Sequence, residues 1–257
     1  MCIRDSIDGI VVAHTGYLID AYSDKPDIDH EFWASDLEYN ARRVMEYHKH
    51  GIHLHFHAVG DGGVRRAIDM YEAALAADGD TGSRMSIEHL DMSDPADWAR
   101  MAKAGIICSV QPQHLALYPR FEDEEYAGVV GPIRTKNLWA FKSMLDNGIH
   151  LAFGTDFPVV TYDTRLSLHR AVTRKYPDGQ PENGWNPEQK LTLWDALYAY
   201  TYSGAYKVGK ENVLGSLECG KLADIVVWDR NLFDIPADDI LNSGVALTVC
   251  DGHIVYE

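Results

Sequence analysis

Two hydrophobic periods take turns along this chain. Gly51 to Val59, Gly-Ile-His-Leu-His-Phe-His-Ala-Val, alternates strictly and predicts a strand, and from Asp61 the residues Val64, Ile68, Tyr71 and Leu75 recur at helical spacing. Arg84 to Leu90 predicts a second strand, after which Asp94-Pro95 reads as the N-cap and first position of a helix through Trp98 and Met101. Gly105 to Val110 is a third strand. A helix from about Asn137, with Leu138, Phe141 and Leu145 on one stripe, stops at Asn147-Gly148, and Ile149 to Asp156 follows as a fourth strand. An earlier strand is expected at Ile7 to Ala13. Thr192 to about Val208 predicts a further helix whose Trp194, Leu197, Tyr198 and Tyr202 read as core contacts rather than a cofactor box.

Alternating strands and helices imply a parallel sheet, either doubly wound or closed as a (β/α)8 barrel. No Gly-x-Gly-x-x-Gly fingerprint follows a strand. The reactive side chains His57, His89, Gln111 and Asp156 instead fall at the carboxyl ends of successive strands, the active-face pattern of a barrel. Five strands are legible where a barrel needs eight. After about Glu211 the texture changes: three strands without helical crossovers follow, with Asp251-Gly252 as a two-residue hairpin turn. The expected fold is therefore α/β, a partial TIM-type barrel over residues 7–210, with a small antiparallel appendage over 211–257.

Composition narrows the partners. Among 257 residues, 23 Lys+Arg against 39 Asp+Glu give a net charge of −16, and no basic cluster stands out, which argues against a phosphate backbone as ligand. No run of eighteen apolar residues suggests a spanning helix, and no signal-like stretch opens the chain, so a cytoplasmic location away from membranes is the expectation. Cys2, Cys108, Cys219 and Cys250 are scattered without a Cys-x-x-Cys pair, which suits reduced thiols buried as small apolar residues.

His53, His55 and His57 share one strand face, because side chains alternate with period two, and His57 lies nearest the mouth. Hiding three imidazoles on a buried face requires metal or a dense hydrogen-bond network. His57 is the candidate ligand of the three, and His55 a ligand or an outer partner. His89 ends the next strand, and imidazoles on consecutive strands can converge on one ion at about 2.0–2.1 Å. Asp156, in Phe-Gly-Thr-Asp-Phe-Pro, supplies a carboxylate at a third strand end. Such an ion lowers the pKa of bound water towards roughly 7, with Asp156 placed to take the proton, so hydrolysis is the expected reaction. Glu88, one residue out of phase with His89, is expected to point away from the mouth, and Asp61 to cap its helix.

The strings His55-Phe-His57-Ala-Val-Gly-Asp61, Ile87-Glu-His89, Val110-Gln-Pro-Gln-His114, Phe153-Gly-Thr-Asp156, Ala171-Val-Thr-Arg174 and Gly220-Lys-Leu-Ala-Asp224 resemble the amidohydrolase superfamily, in its amidohydrolase 3 branch with the N-substituted formamide deformylases. The resemblance runs from about Asp8 to Glu257. It implies a (β/α)8 barrel with a composite β-sandwich, and hydrolysis of non-peptide C–N bonds in small amides or formamides. It places His57 and His89 as metal ligands on the fifth and sixth strands, and Asp156 as ligand and proton acceptor on the eighth. A divalent metal is implied, one or two ions in the complete enzyme, with zinc the first expectation although N/O ligation alone does not separate it from iron or manganese.

Departures from the pattern matter as well. The family's first-strand His-x-His pair is absent, and the position of the fourth-strand lysine that some relatives carboxylate falls near Arg4. Residues 1–6 match poorly and read as a leader foreign to the family. The chain therefore reads as the C-terminal portion of a larger enzyme, about strands four to eight, whose N-terminal half is the missing partner. On its own it is expected to self-associate, bind metal weakly and turn over no amide. The alternative is a non-catalytic metal-binding or interaction remnant, and a third reading is a half that completes a barrel with a separate chain. A homo-oligomer is also among the expected assemblies. His14, Gln111 and His114 are candidate substrate contacts, and Arg134 and Arg174 are expected to pair with the protein's own carboxylates rather than a substrate's.

Overall fold

A computed structural model describes residues 2–31, 36–116 and 125–257, and the chain divides into two compact units, Met1–Val110 with Tyr118–Ala152, and Gln111–Leu117 with Phe153–Glu257. The first unit is built on a sheet in the order β1 (Cys2–Ser6), β2 (His53–Ala58), β3 (Met85–His89), β4 (Ile107–Val110), β5 (His150–Phe153). Strands β1 to β4 run parallel, with Ser6 opposite His57, His57 opposite Glu88, and Glu88 opposite Ser109. Around it lie α1 (Leu37–Lys49), α2 (Asp61–Asp78), α3 (Pro95–Lys103), α4 (Glu125–Thr135), interrupted at Gly131, and α5 (Phe141–Asp146).

The alternation in β2 sorts its residues as expected, but the buried face is the one carrying Leu54, Phe56 and Ala58, and the histidine face is part-exposed. Helix α2 buries Val64, Ala67, Ile68, Tyr71 and Ala74 on one stripe, each large aliphatic contributing about 1.5–3 kcal/mol. The Tyr71 hydroxyl donates to the Ser86 carbonyl at 2.9 Å, which ties the helix to β3. Asp94 caps α3 and Pro95 opens it, as read from the sequence.

Boundaries in the first unit also differ from the sequence reading. The first strand occupies Cys2–Ser6 rather than Ile7 to Ala13, so the residues read as a leader pair along β2. Ile7 continues the ladder by one bond, its N–H donating to His57 O at 2.9 Å, and then Asp8-Gly9 diverts the chain into a single 3-10 turn, Val11–Ala13. Met1 and the side chain of Arg4 lie outside the description. The helix expected from Asn137 begins only at Phe141, because Trp139 adopts φ 44° and donates its N–H to Asp91 O, while Leu138 bridges to Met92.

The turn into α2 is close-packed against the loop after β1. A Cβ at Gly60 would lie 2.2 Å from Tyr17 O and one at Gly63 2.7 Å from the Asp8 carboxylate. Gly60→Ala is expected to cost about 1–3 kcal/mol, the usual range for overpacking, seen as a lower urea midpoint at unchanged slope. An unchanged midpoint would mean that the loop yields freely.

The second unit carries α6 (Thr164–Thr173), α7 (Leu193–Tyr200), α8 (Tyr202–Lys207) and an antiparallel sheet of β6 (Ile225–Trp228), β7 (Val245–Cys250) and β8 (His253–Tyr256). The hairpin turn between β7 and β8 is Asp251-Gly252, both at positive φ (47° and 79°). The single helix expected from Thr192 breaks at Thr201 (φ −109°, ψ −85°). Its aromatic stripe is not core: Trp194 is 67% and Tyr198 40% exposed, and the buried positions are Ala196 and Ala199. Tyr198 instead stacks on Tyr202 with centroids 5.1 Å apart. Cys108 is buried as expected, whereas Cys219 and Cys250 are exposed thiols, lying in the turn before β6 and at the last position of β7. No helix among the described residues is long and apolar enough to cross a membrane.

Candidate metal centre

In the first unit, the three histidines of β2 have different hydrogen-bond surroundings. His53 accepts the Arg84 N–H at Nδ1 (3.0 Å), which makes it a structural group. His55 bonds to Ser86 Oγ, its neighbour in register, and Glu88 Oε1 stands 4.0 Å from its Nδ1. Glu88 thus faces the histidines rather than pointing away. The reason is register: Glu88 sits opposite His57, so their side chains leave the sheet on the same side.

By the same rule His89, opposite Ala58, should face the helices. It does not, because β3 ends there with positive φ at His89 (78°) and Leu90 (46°), and the turned ring packs edge-on to His57 with centroids 4.6 Å apart. Non-glycine residues rarely adopt this conformation, and such positions cluster at functional sites. Two imidazoles at this spacing fit a divalent ion, each offering one nitrogen at about 2.0–2.1 Å.

Buried carboxylates surround the pair. Asp8 is buried and accepts N–H groups from Tyr17, Val59 and Gly60, each at 2.9 Å, with Oδ1 3.7 Å from His57 Nδ1. Asp61 is the first residue of α2 rather than its cap, which is Gly60; its Oδ1 accepts from Ile19 and Gly62, and burial pushes its carboxyl above the ordinary range. Asp91 is the most perturbed. Burial raises its carboxyl to about 7, while hydrogen bonds from Trp139 Nε1 (3.0 Å) and Tyr126 (3.3 Å) work in the opposite direction. None of Ser6, Asp8 and Asp91 is legible as a site residue from the sequence, since a single Ser or Asp carries no period.

His14, a candidate substrate contact, is held by Asp24, its Nε2 2.9 Å from Oδ2, and packs against Tyr22. Arg134, expected to pair with a carboxylate, instead donates in these contacts to the carbonyls of Val130, Asp20 and Ala21, because the loop after β1 brings those acceptors to it.

In the second unit, His114 Nε2 lies 3.7 Å from Asp156 Oδ2. Asp156 has φ 58°, again a left-handed residue just past a strand. Gln111 and His114 are both buried, and the residue between them that was missed, Gln113, holds the segment in place. Its Nε2 donates to Thr161 O (3.1 Å), Asp163 O (3.1 Å) and Ser167 Oγ (2.9 Å), fastening the turn Pro112–Ala116 to the loop that carries Asp156. Arg174 is buried and donates to Trp185 O at 3.0 Å while stacking over that ring; burial lowers its guanidinium to about 9. It ties down the loop after α6 and reaches no carboxylate in those contacts.

The amidohydrolase family model matches residues 11–256. Protein LONG AFTER FAR-RED 3 of Arabidopsis thaliana is 31% identical over 255 residues, covering 99% of this chain and 42% of that protein. N-substituted formamide deformylase of Arthrobacter pascens is 28% identical over 215 residues, 81% of this chain and 37% of that one. A solved structure, an uncharacterized metal-dependent hydrolase from Pyrococcus horikoshii, matches with a TM-score of 0.77 at 26% identity, over 91% of this chain and 45% of its own. The chain spans less than half the length of each of these proteins. Its sequence over nearly the whole length and its strand-end histidines agree: the chain belongs to the amidohydrolase family, in the amidohydrolase 3 branch.

Proposed function

We propose that this chain carries the metal-binding residues of a hydrolase acting on a non-peptide C–N bond of a small amide or formamide. His57 and His89 would hold a divalent ion, zinc first among the candidates, and Asp156 would supply the carboxylate. His55 stands behind them as an outer partner, and the segment from β1 to residue 210 belongs to a (β/α)8-type barrel with 211–257 as sandwich strands. The observation that carries the reading is the left-handed turn that brings the His89 ring to 4.6 Å from that of His57.

A divalent ion bound there would lower the pKa of a water towards roughly 7 and act as a Lewis acid for the substrate carbonyl. The chain's own residues do the rest. Asp156 accepts a proton at its carboxylate and returns it to the departing nitrogen. His114, 3.7 Å from that carboxylate, orients it and faces the substrate, with Gln113 holding the turn that carries His114. Gln111, buried on the same segment, offers an amide to the substrate.

Zinc titration of the purified 257-residue chain, with amine release measured from N-formyl and N-acyl amines, tests this. The expected result is one zinc site that Asp156→Asn weakens. Turnover abolished by Asp156→Asn would establish the hydrolase outright, and would overturn the expectation that the chain is inactive alone. Zinc held through these residues with no turnover supports the non-catalytic reading, and zinc binding indifferent to Asp156→Asn would sink its role as a ligand.

A further inference from the structure

We infer that Ser6 and Asp8 act on His57 as positioning residues, fixing its neutral imidazole in the Nδ1–H form and leaving Nε2 as the nitrogen with a free lone pair. What that nitrogen binds rests on the proposed function; the tautomer itself is a property of the metal-free chain.

Hydrogen-bond accounting carries the assignment. The hydroxyl of Ser6 has one proton, and it goes to the Asp8 carbonyl at 2.9 Å. Towards His57 Nδ1, 3.4 Å away, Ser6 Oγ therefore offers only a lone pair. On the same side stands Asp8 Oδ1, 3.7 Å from Nδ1. That carboxylate cannot swing away, because Oδ1 receives the Val59 N–H and Oδ2 those of Tyr17 and Gly60, each at 2.9 Å. Both neighbours of Nδ1 are acceptors, so a bare nitrogen there would meet lone pairs with no proton between them. His53 has the reverse arrangement: it accepts a backbone N–H at Nδ1 and must carry its proton on Nε2. Two histidines on one strand face thus hold opposite tautomers, and the difference is set by what stands beside each ring. Ser6 is placed by register, directly opposite His57, and Asp8 by the turn that ends β1. In metal sites an outer partner of this kind fixes ring orientation and tautomer, and its loss typically weakens metal binding 10–100-fold.

The test is long-range 1H–15N correlation on the full chain labelled with 15N-histidine, kept metal-free with a chelator above about pH 8, where imidazoles are neutral. His57 signals are assigned by their loss in His57→Gln. The expected spectrum has His57 protonated on Nδ1 and His53 on Nε2. Ser6→Ala removes one acceptor without touching the three N–H bonds of Asp8, so folding is preserved. It is expected to introduce a measurable Nε2–H population and to weaken zinc binding roughly 10-fold, with Ser6→Thr restoring both. An Nε2–H tautomer at His57 in the unsubstituted chain, or a Ser6→Ala spectrum and zinc affinity both unchanged, would overturn the inference. If His57→Gln binds zinc as tightly as the parent while the parent shows Nδ1–H, the positioning stands and the ligand role of His57 falls.

Discussion

Replacing His89 with alanine is expected to weaken zinc binding more than about 100-fold, beyond the 10–100-fold typical of losing an outer partner, while His53→Ala leaves it within about threefold. Both residues end up near the same strand face, so proximity alone would predict similar losses. The difference lies in which nitrogens are committed. His53 uses Nδ1 to accept the Arg84 N–H and lies at the start of β2, four positions before His57. His89 is turned out of the β3 alternation to pack against His57. Isothermal titration with zinc on the two variants, each first shown by circular dichroism to be folded, checks this. Equal losses would mean that binding follows the histidine-rich face as a whole rather than the pair His57 and His89.

The largest effect on stability is expected at Trp139. This side chain is fully buried, its ring lies 5.0 Å from Tyr126, and its indole N–H donates to Asp91. Trp139→Ala leaves a cavity and strips a donor from a buried carboxyl, and is expected to cost about 3–5 kcal/mol, enough to unfold a marginal domain. Trp139→Phe keeps most of the volume and loses only the N–H, for about 1–3 kcal/mol. The pH dependence follows from Asp91, whose carboxyl stands at about 7 against the usual 3.8. Between those values the folded chain holds a proton that the unfolded chain has released. Its contribution is therefore present in full below about 3.8 and is lost as pH rises through about 7. Urea melts of the metal-free chain are expected to show this decline, and Asp91→Asn to flatten it. A decline of the same size in Asp91→Asn would assign it to another group.

Much of the frame could be read from residue order because burial imposes a period. The alternation in β2, the stripe of α2, the Asp94-Pro95 start of α3 and the Asp251-Gly252 turn all express local rules, and each stands where it was expected. What escaped depended on partners distant in sequence. Cys2–Ser6 is a strand because β2 lies beside it, and its own residues carry no strand period. Trp194 and Tyr198 look like core residues by type, but the helix turns its alanines inward instead. At the site, His57 and His89 were legible as residues at strand ends. Strict alternation would have sent His89 to the wrong face, and only its backbone conformation reconciles the two. Asp8 and Gln113 work mainly through backbone groups, which leave no trace in side-chain patterns.

The residues with positive φ point to a tension between folding and chemistry. His14, His89 and Asp156 each adopt φ between 56° and 78°, where a side chain costs roughly 1–2 kcal/mol that glycine would avoid. For the backbone alone, glycine is the better residue at all three. A sequence optimised only for thermal stability would therefore erase His89 and Asp156 among its first changes, giving a hardier protein that has lost two of the three ligands proposed for the ion. The strain marks where this chain has kept reactive side chains against the preference of its own main chain.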